Sequence, residues 1–111
     1  MRADENTLRE VVAAICAATK PSAVVLYGSY ARGDANERSD IDLLVIRESD
    51  FRKGESRRKE LGRLYRATAE KTDIPKDILL LTRSEVDDWR RTTNHVAAEA
   101  LREGRVLYGQ V

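Results

Sequence analysis

Three short apolar runs constrain this chain more than anything else in it: Ala23-Val24-Val25-Leu26-Tyr27, Leu43-Leu44-Val45-Ile46 and Ile78-Leu79-Leu80-Leu81. None shows the apolar–polar alternation of a half-solvated strand, and none approaches the length of a membrane span. Runs of this kind suit strands covered on both faces. Stretches of helical period separate them, so strands and helices alternate. The expected class is α/β, or α+β, with a small mixed sheet of about four strands flanked by helices.

The elements follow in order. Residues 1–6 are polar and expected to fray. Thr7-Leu8-Arg9-Glu10 has capping-box spacing. Leu8, Val11, Val12, Ile15 and Cys16 then recur on one helical face, and Lys20-Pro21 ends the helix. The first strand covers 23–27, and a short helix opens at Gly28 and runs to Arg32. A polar loop, 33–38, leads to a second strand at about 40–46. Residues 47–71 are dense in charge, with Leu61, Leu64, Tyr65 and Thr68 as a buried helical face. That helix is expected from near Glu55, since Gly54 resists an earlier start. Thr72-Asp73-Ile74-Pro75 breaks it, and Lys76–Thr82 forms a third strand. Ser84-Glu85 starts a further helix carrying Trp89, Thr92-Thr93-Asn94 punctuates, and His95–Glu103 is helical up to Gly104. Arg105–Tyr108 is the last strand. At 111 residues this is one domain, 1–111.

Two carboxylates sit awkwardly in this scheme. Residues i and i+2 of a strand share a face, so Asp40 and Asp42 project together, about 6.5–7 Å apart. Asp42 heads a strand that otherwise wants to be dry. An ionised carboxylate there is costly unless it is paired or binds a metal. A divalent cation relieves both the burial and the mutual repulsion, and Mg²⁺ is commonly held by one or two carboxylates plus substrate phosphates. Upstream, the first strand runs straight into Gly28-Ser29, and ten residues separate Ser29 from Asp40. Glycine lets the backbone turn sharply and a ligand approach closely. Ser29 is placed to cap the short helix, where its hydroxyl and the following N–H groups form an anion site. A metal-bound triphosphate fits both halves of the motif.

Gly28-Ser29, ten residues, then Asp40-Ile41-Asp42 resembles the signature of the polymerase-β-like nucleotidyltransferase superfamily. Ala31-Arg32-Gly33-Asp34 and Ser39 resemble its small prokaryotic branch, the minimal nucleotidyltransferases of the MNT type. These often act as antitoxins beside a helical HEPN-type toxin. The resemblance covers nearly the whole chain. It implies the polymerase-β-like fold, with Asp77 as a third carboxylate on the strand beside the second. Asp40, Asp42 and Asp77 would then hold two divalent ions, Mg²⁺ or alternatively Mn²⁺, as metal ligands and catalytic residues. Gly28 and Ser29 would hold the β- and γ-phosphates, and Arg32 or Lys76 would neutralise developing charge. The resemblance favours ATP as substrate, with AMP moved to a hydroxyl, typically a tyrosine of the toxin. A catalytically silent toxin-binding antitoxin is the alternative, as is a nucleotidyltransferase acting on a small molecule such as an aminoglycoside.

Charge and cysteine usage narrow the partners. Net charge is +1, so there is no global case for nucleic acid. Arg52, Lys53, Arg57, Arg58, Lys59, Arg63, Arg66 and Lys71 are interleaved with acids, as on a solvated helix face, and little aromatic interleaving argues for RNA. The lone Cys16 excludes an intrachain disulfide and is expected to be a small core residue. The N-terminus is too acidic and mixed for a signal peptide. A cytoplasmic location, a toxin partner and a homo- or hetero-oligomer are expected, and no membrane. The sole histidine, His95, is expected to cap a helix or lie at the surface.

Overall fold

The computed structural model describes residues 2–91 and 95–111, and the expected punctuation at Thr92-Thr93-Asn94 lies outside them. Helix α1 (Glu5–Thr19) precedes β1 (Ala23–Tyr27) and the single-turn helix α2 (Gly28–Arg32). Strand β2 (Ile41–Arg47), helix α3 (Arg57–Ala69) and strand β3 (Lys76–Thr82) follow. Helices α4 (Arg83–Trp89) and α5 (Val96–Glu103) lead into β4 (Arg105–Gly109). The four strands form one mixed sheet in the order β3-β2-β1-β4. Strand β1 is antiparallel to β2 and to β4, whereas β2 and β3 are parallel, which obliges the crossover through α3. No helix among the described residues is long and apolar enough to cross a membrane.

Across β1, β2 and most of β3 both faces of the sheet are dry, as the continuous apolar runs require, while the edge strand β4 is largely exposed. On one face Val24, Leu26, Ile41, Leu43, Val45, Ile78 and Leu80 pack under Leu8, Val11 and Ile15 of α1 and Leu64 of α3. On the other, Ala23, Val25, Leu44, Ile46 and Leu81 meet Val86 of α4 and Ala97 and Ala100 of α5. Strand period 2 therefore puts Asp42 on the α4/α5 face with Leu44 and Ile46, and Asp77 there with Leu79 and Leu81.

Local caps differ from the expected ones in three places. Helix α1 starts earlier than the Thr7 box: Asp4 is the cap, its carboxylate accepting from Thr7 N–H at 2.8 Å and from the Thr7 hydroxyl at 2.9 Å. Glu5 and Asn6 are thereby helical rather than frayed. Helix α3 starts after Ser56, whose hydroxyl accepts from Lys59 N–H, two residues later than expected. Helix α4 has the capping box instead, with Thr82 and Glu85 bonded reciprocally. His95 does cap α5, through Nδ1 accepting from Ala97 N–H at 3.0 Å, and its ring stacks on Trp89 at 3.7 Å between centroids. Gly104 is extended, not left-handed. It is glycine because a Cβ there would strike Ala100 O, Val25 Cγ1 and Leu26 O.

Two burial expectations are also corrected. Cys16 is only half-buried, on a groove between α1 and β4, because α1 faces the sheet with Val11, Ala14 and Ile15. Glu60, one of the acids of the charge-dense helix, is 6% exposed. Its carboxylate accepts from Arg47 at 2.7 Å, while Arg47 also bonds Glu55 and the carbonyls of Ser49 and Asp50 and lies over the Phe51 ring. These bonds fold the 47–55 loop against the start of α3.

Candidate active site

The parallel pairing of β2 and β3 makes Asp42 and Asp77 direct register partners, and the antiparallel pairing of β1 and β2 sets Tyr27 opposite Asp42 on its other side. Asp77, Asp42 and Tyr27 therefore form a row across three adjacent strands, at the sheet end where α2 begins. Asp40 lies just before β2, and its charge acts on Asp42. The sequence spacing alone could not place Asp77 beside Asp42, since 34 residues intervene, among them the rest of β2, a helix and two loops.

Electrostatics matches this placement. Burial, then repulsion from Asp77 and from Asp40, push the Asp42 carboxyl above the usual carboxylate range, and Arg32 offsets part of this. The Tyr27 phenol is pushed up to about 12, first by burial and then by the charges of Asp77 and Asp42. No Lys or Arg among the described residues forms an ion pair with Asp40, Asp42 or Asp77. The cluster is negative, with Asp42 half-buried and Asp40 and Asp77 exposed, and among the described residues none of the three is ion-paired. A hard divalent cation with oxygen ligands suits this donor set. Among the described residues no three acidic, histidine or cysteine side chains converge on one point, so the carboxylates line a shared face without forming a closed cage.

Gly28 ties the phosphate half of the motif to the carboxylate half. Its φ is +71°, and a Cβ would overlap Asp42 Oδ2. Only glycine satisfies both conditions. The expected cap is corrected: Ser29 is a residue of the helix, and the cap position is Tyr27, which makes no side-chain cap bond. The first N–H groups of α2 are therefore left uncapped beside the carboxylate row. The Ser29 carbonyl accepts from the N–H groups of Gly33 and Asp34 at 3.0 and 3.1 Å, which closes the turn.

The two candidate cations divide. Arg32 pairs with Asp34 at 3.3 Å and still acts on Asp42 through space. Lys76 has the wrong parity: it is adjacent to Asp77 and so points to the opposite face, where Nζ donates to Thr72 O at 2.9 Å. Lys76 is thus turned away from the carboxylates, contrary to the expectation that it serves them. Two residues joined the site without a sequence signal strong enough to single them out. Tyr27 ended an apolar run like any strand residue. Glu99 is an exposed acid on α5 whose charge reaches both Asp42 and Tyr27.

A family model described as nucleotidyltransferase domain matches residues 8–107, most of the chain and all of the site. The chain belongs to the nucleotidyltransferase domain family. It has a mixed four-stranded sheet with flanking helices. A Methanocaldococcus jannaschii protein, provisionally named a protein adenylyltransferase, is 57% identical over 28 residues. That stretch is 25% of this chain and 28% of the relative, so the match spans little more than a quarter of the curated protein. Among solved structures, a toxin–antitoxin with AMP-PNP is similar at TM-score 0.61 and 19% identity, over 97% of this chain and 75% of that one. A mutant of the MntA-HpeT toxin–antitoxin, with two aspartates changed to glutamate, gives 0.62 and 18% over the same shares. A Sulfolobus solfataricus protein, provisionally named a nucleotidyltransferase, gives 0.56 and 17%, over 95% and 79%. At these identities the structures show a shared fold.

Proposed function

We propose that this nucleotidyltransferase moves AMP from ATP to a hydroxyl of a partner protein, a tyrosine of a helical HEPN-type toxin, and so acts as an antitoxin. The observation that carries the reading is Gly28 packed on Asp42, which sets the uncapped start of α2 against the Asp42–Asp77 row. An anion at the one and a cation at the other is the arrangement a metal-bound triphosphate needs. The AMP-PNP complex and the toxin–antitoxin neighbours support ATP and a toxin partner. The mutated neighbour, with its paired aspartates, supports Asp40 and Asp42 as the pair that matters.

In this reading Asp40, Asp42 and Asp77 would hold two divalent ions, Mg²⁺ or Mn²⁺. Bound there, such ions neutralise the triphosphate and make the acceptor hydroxyl more acidic. Gly28 keeps its backbone free of a Cβ so that the β- and γ-phosphates lie against the first turn of α2, with Ser29 donating its hydroxyl. Arg32 lowers the negative potential at Asp42. Asp77, the more exposed of the register pair, receives the acceptor proton. The acceptor oxygen attacks the α-phosphorus, the bond from that phosphorus to the α–β bridging oxygen breaks, and pyrophosphate leaves. Catalysis is positioning plus electrostatics.

The test is incubation with α-labelled ATP and Mg²⁺ or Mn²⁺, of the chain alone and of the chain with a co-purified partner, beside Asp42→Asn. Label on the partner, lost in the variant, is expected. A stable complex with no label on the partner refutes the transfer.

A further inference from the structure

The face of α3 turned away from the sheet carries a concentrated positive charge that the site does not use. Arg58, Lys59, Arg63 and Arg66 are exposed and, with Ser56 and Gly62, line one shallow concavity of about 610 Å³. Helix α3 covers the sheet face opposite the carboxylate row, so these cations do not serve the triphosphate. Among the described residues only Arg63 of the four is ion-paired, and weakly. Arg63 comes no closer than 4.0 Å to Glu60, whose carboxylate is already engaged by Arg47 at 2.7 Å. Among the described residues the side chains of Arg58, Lys59 and Arg66 make no ion pair or hydrogen bond. Mutual repulsion within such a group is relieved only by solvent, salt or an acidic partner.

Gly62 shapes the hollow. A glycine inside an exposed helix costs about 1 kcal/mol relative to alanine. Here a Cβ would sit 3.2 Å from the Arg66 guanidinium, which lies beside the bare backbone of that turn. Arg58, Gly62 and Arg66 are spaced i, i+4, i+8, and Lys59 and Arg63 form the neighbouring i, i+4 row. The Arg58–Arg66 row spans about 12 Å along the axis. Two cationic ridges separated by a gap at a glycine complement the ridges of a second helix bearing carboxylates at the same period. Guanidinium forks favour carboxylates in a bidentate geometry. The residues lining the hollow include no aromatic side chain for base stacking, and the chain's net charge is +1, which disfavours a nucleic acid.

We infer that the Arg58–Lys59–Arg63–Arg66 face of α3 is a docking surface for an acidic helix of a partner protein, which crosses α3 at Gly62. This deepens the reading above, since it rests on the acceptor being carried by a protein.

The probe is a labelled helical peptide with Glu at every fourth position, followed by fluorescence anisotropy against the full chain at low and high salt. Binding at low salt is expected to weaken at least about tenfold in R58E/R66E and to weaken with rising salt. Far-UV circular dichroism checks that the variant is folded, and R58Q/R66Q, which only neutralises the two charges, is expected to fall between. Equal binding by native chain and variants, no binding at low salt, or tighter binding of a single-stranded RNA of equal charge would each overturn the inference. Peptide binding by the native chain with no AMP transfer to the partner sinks only the transfer reading. AMP transfer to the partner that is as fast in R58E/R66E as in the native chain sinks only the docking surface.

Discussion

Replacing Gly28 by alanine places a methyl group where Asp42 Oδ2 already lies, on a backbone whose φ is +71°. Two separable costs follow. Holding alanine in the left-handed region costs about 1–2 kcal/mol. Moving the Asp42 carboxylate aside, in a packed setting at the head of β2, costs about 1–3 kcal/mol more. The sum is about 2–5 kcal/mol, which for a chain of this length lowers Tm by about 8–20 °C. The partner mutation separates the costs. Asp42→Ala removes the carboxylate and leaves Cβ, which lies 3.4 Å from the new methyl, an ordinary contact. In that background Gly28→Ala should cost only the left-handed strain. A double-mutant cycle by urea denaturation should therefore show a coupling of about 1–3 kcal/mol between positions 28 and 42. If Gly28→Ala costs the same with and without the Asp42 carboxylate, the two halves of the motif are not in contact and the reasoning fails.

Three further outcomes follow from the same geometry. Asp42 holds its proton to higher pH in the folded chain than in the unfolded one, so the native state binds more protons and stability falls as pH rises through that interval. Asp42→Asn should therefore raise Tm at neutral pH, and added Mg²⁺ should raise the Tm of the native chain more than that of the variant; a thermal shift series over pH and Mg²⁺ checks both signs. Gly104→Ala drives a Cβ into two backbone oxygens, Ala100 O and Leu26 O, which cannot swing away as a side chain can. A loss of at least about 2–3 kcal/mol in urea denaturation is expected. Glu60→Ala removes one buried partner of Arg47 but leaves it Glu55 and two carbonyls. The loss should be about 1–3 kcal/mol, below that of a fully orphaned charge, and nearly independent of salt.

The apolar runs and the glycine–serine and aspartate spacings carried most of the fold in plain view. Strand β1 and helix α2 lie where the pattern put them, since a continuous apolar run ending in Gly-Ser leaves little choice. The caps were less legible. Asp4 outcompeted Thr7 because its carboxylate reaches two groups of Thr7 at once, a choice local composition does not reveal. Glu60 read as a solvated acid because its partner, Arg47, lies on another element.

What the sequence determined by itself is the chemistry of each local segment. It set which runs must be dry, where the backbone must turn through glycine, and that Asp42 enters a strand as a charge in need of a counter-ion. Only the tertiary structure decided which segments meet. The parallel register of β2 and β3 brought Asp77 to Asp42, the antiparallel register of β1 brought Tyr27, and the packing of α5 brought the charge of Glu99 within reach. The parity of β3 sent Lys76 to the opposite face. Register depends on how whole faces bury against α1, α3, α4 and α5. That is a sum over contacts distant in the chain, and no single stretch of residues contains it.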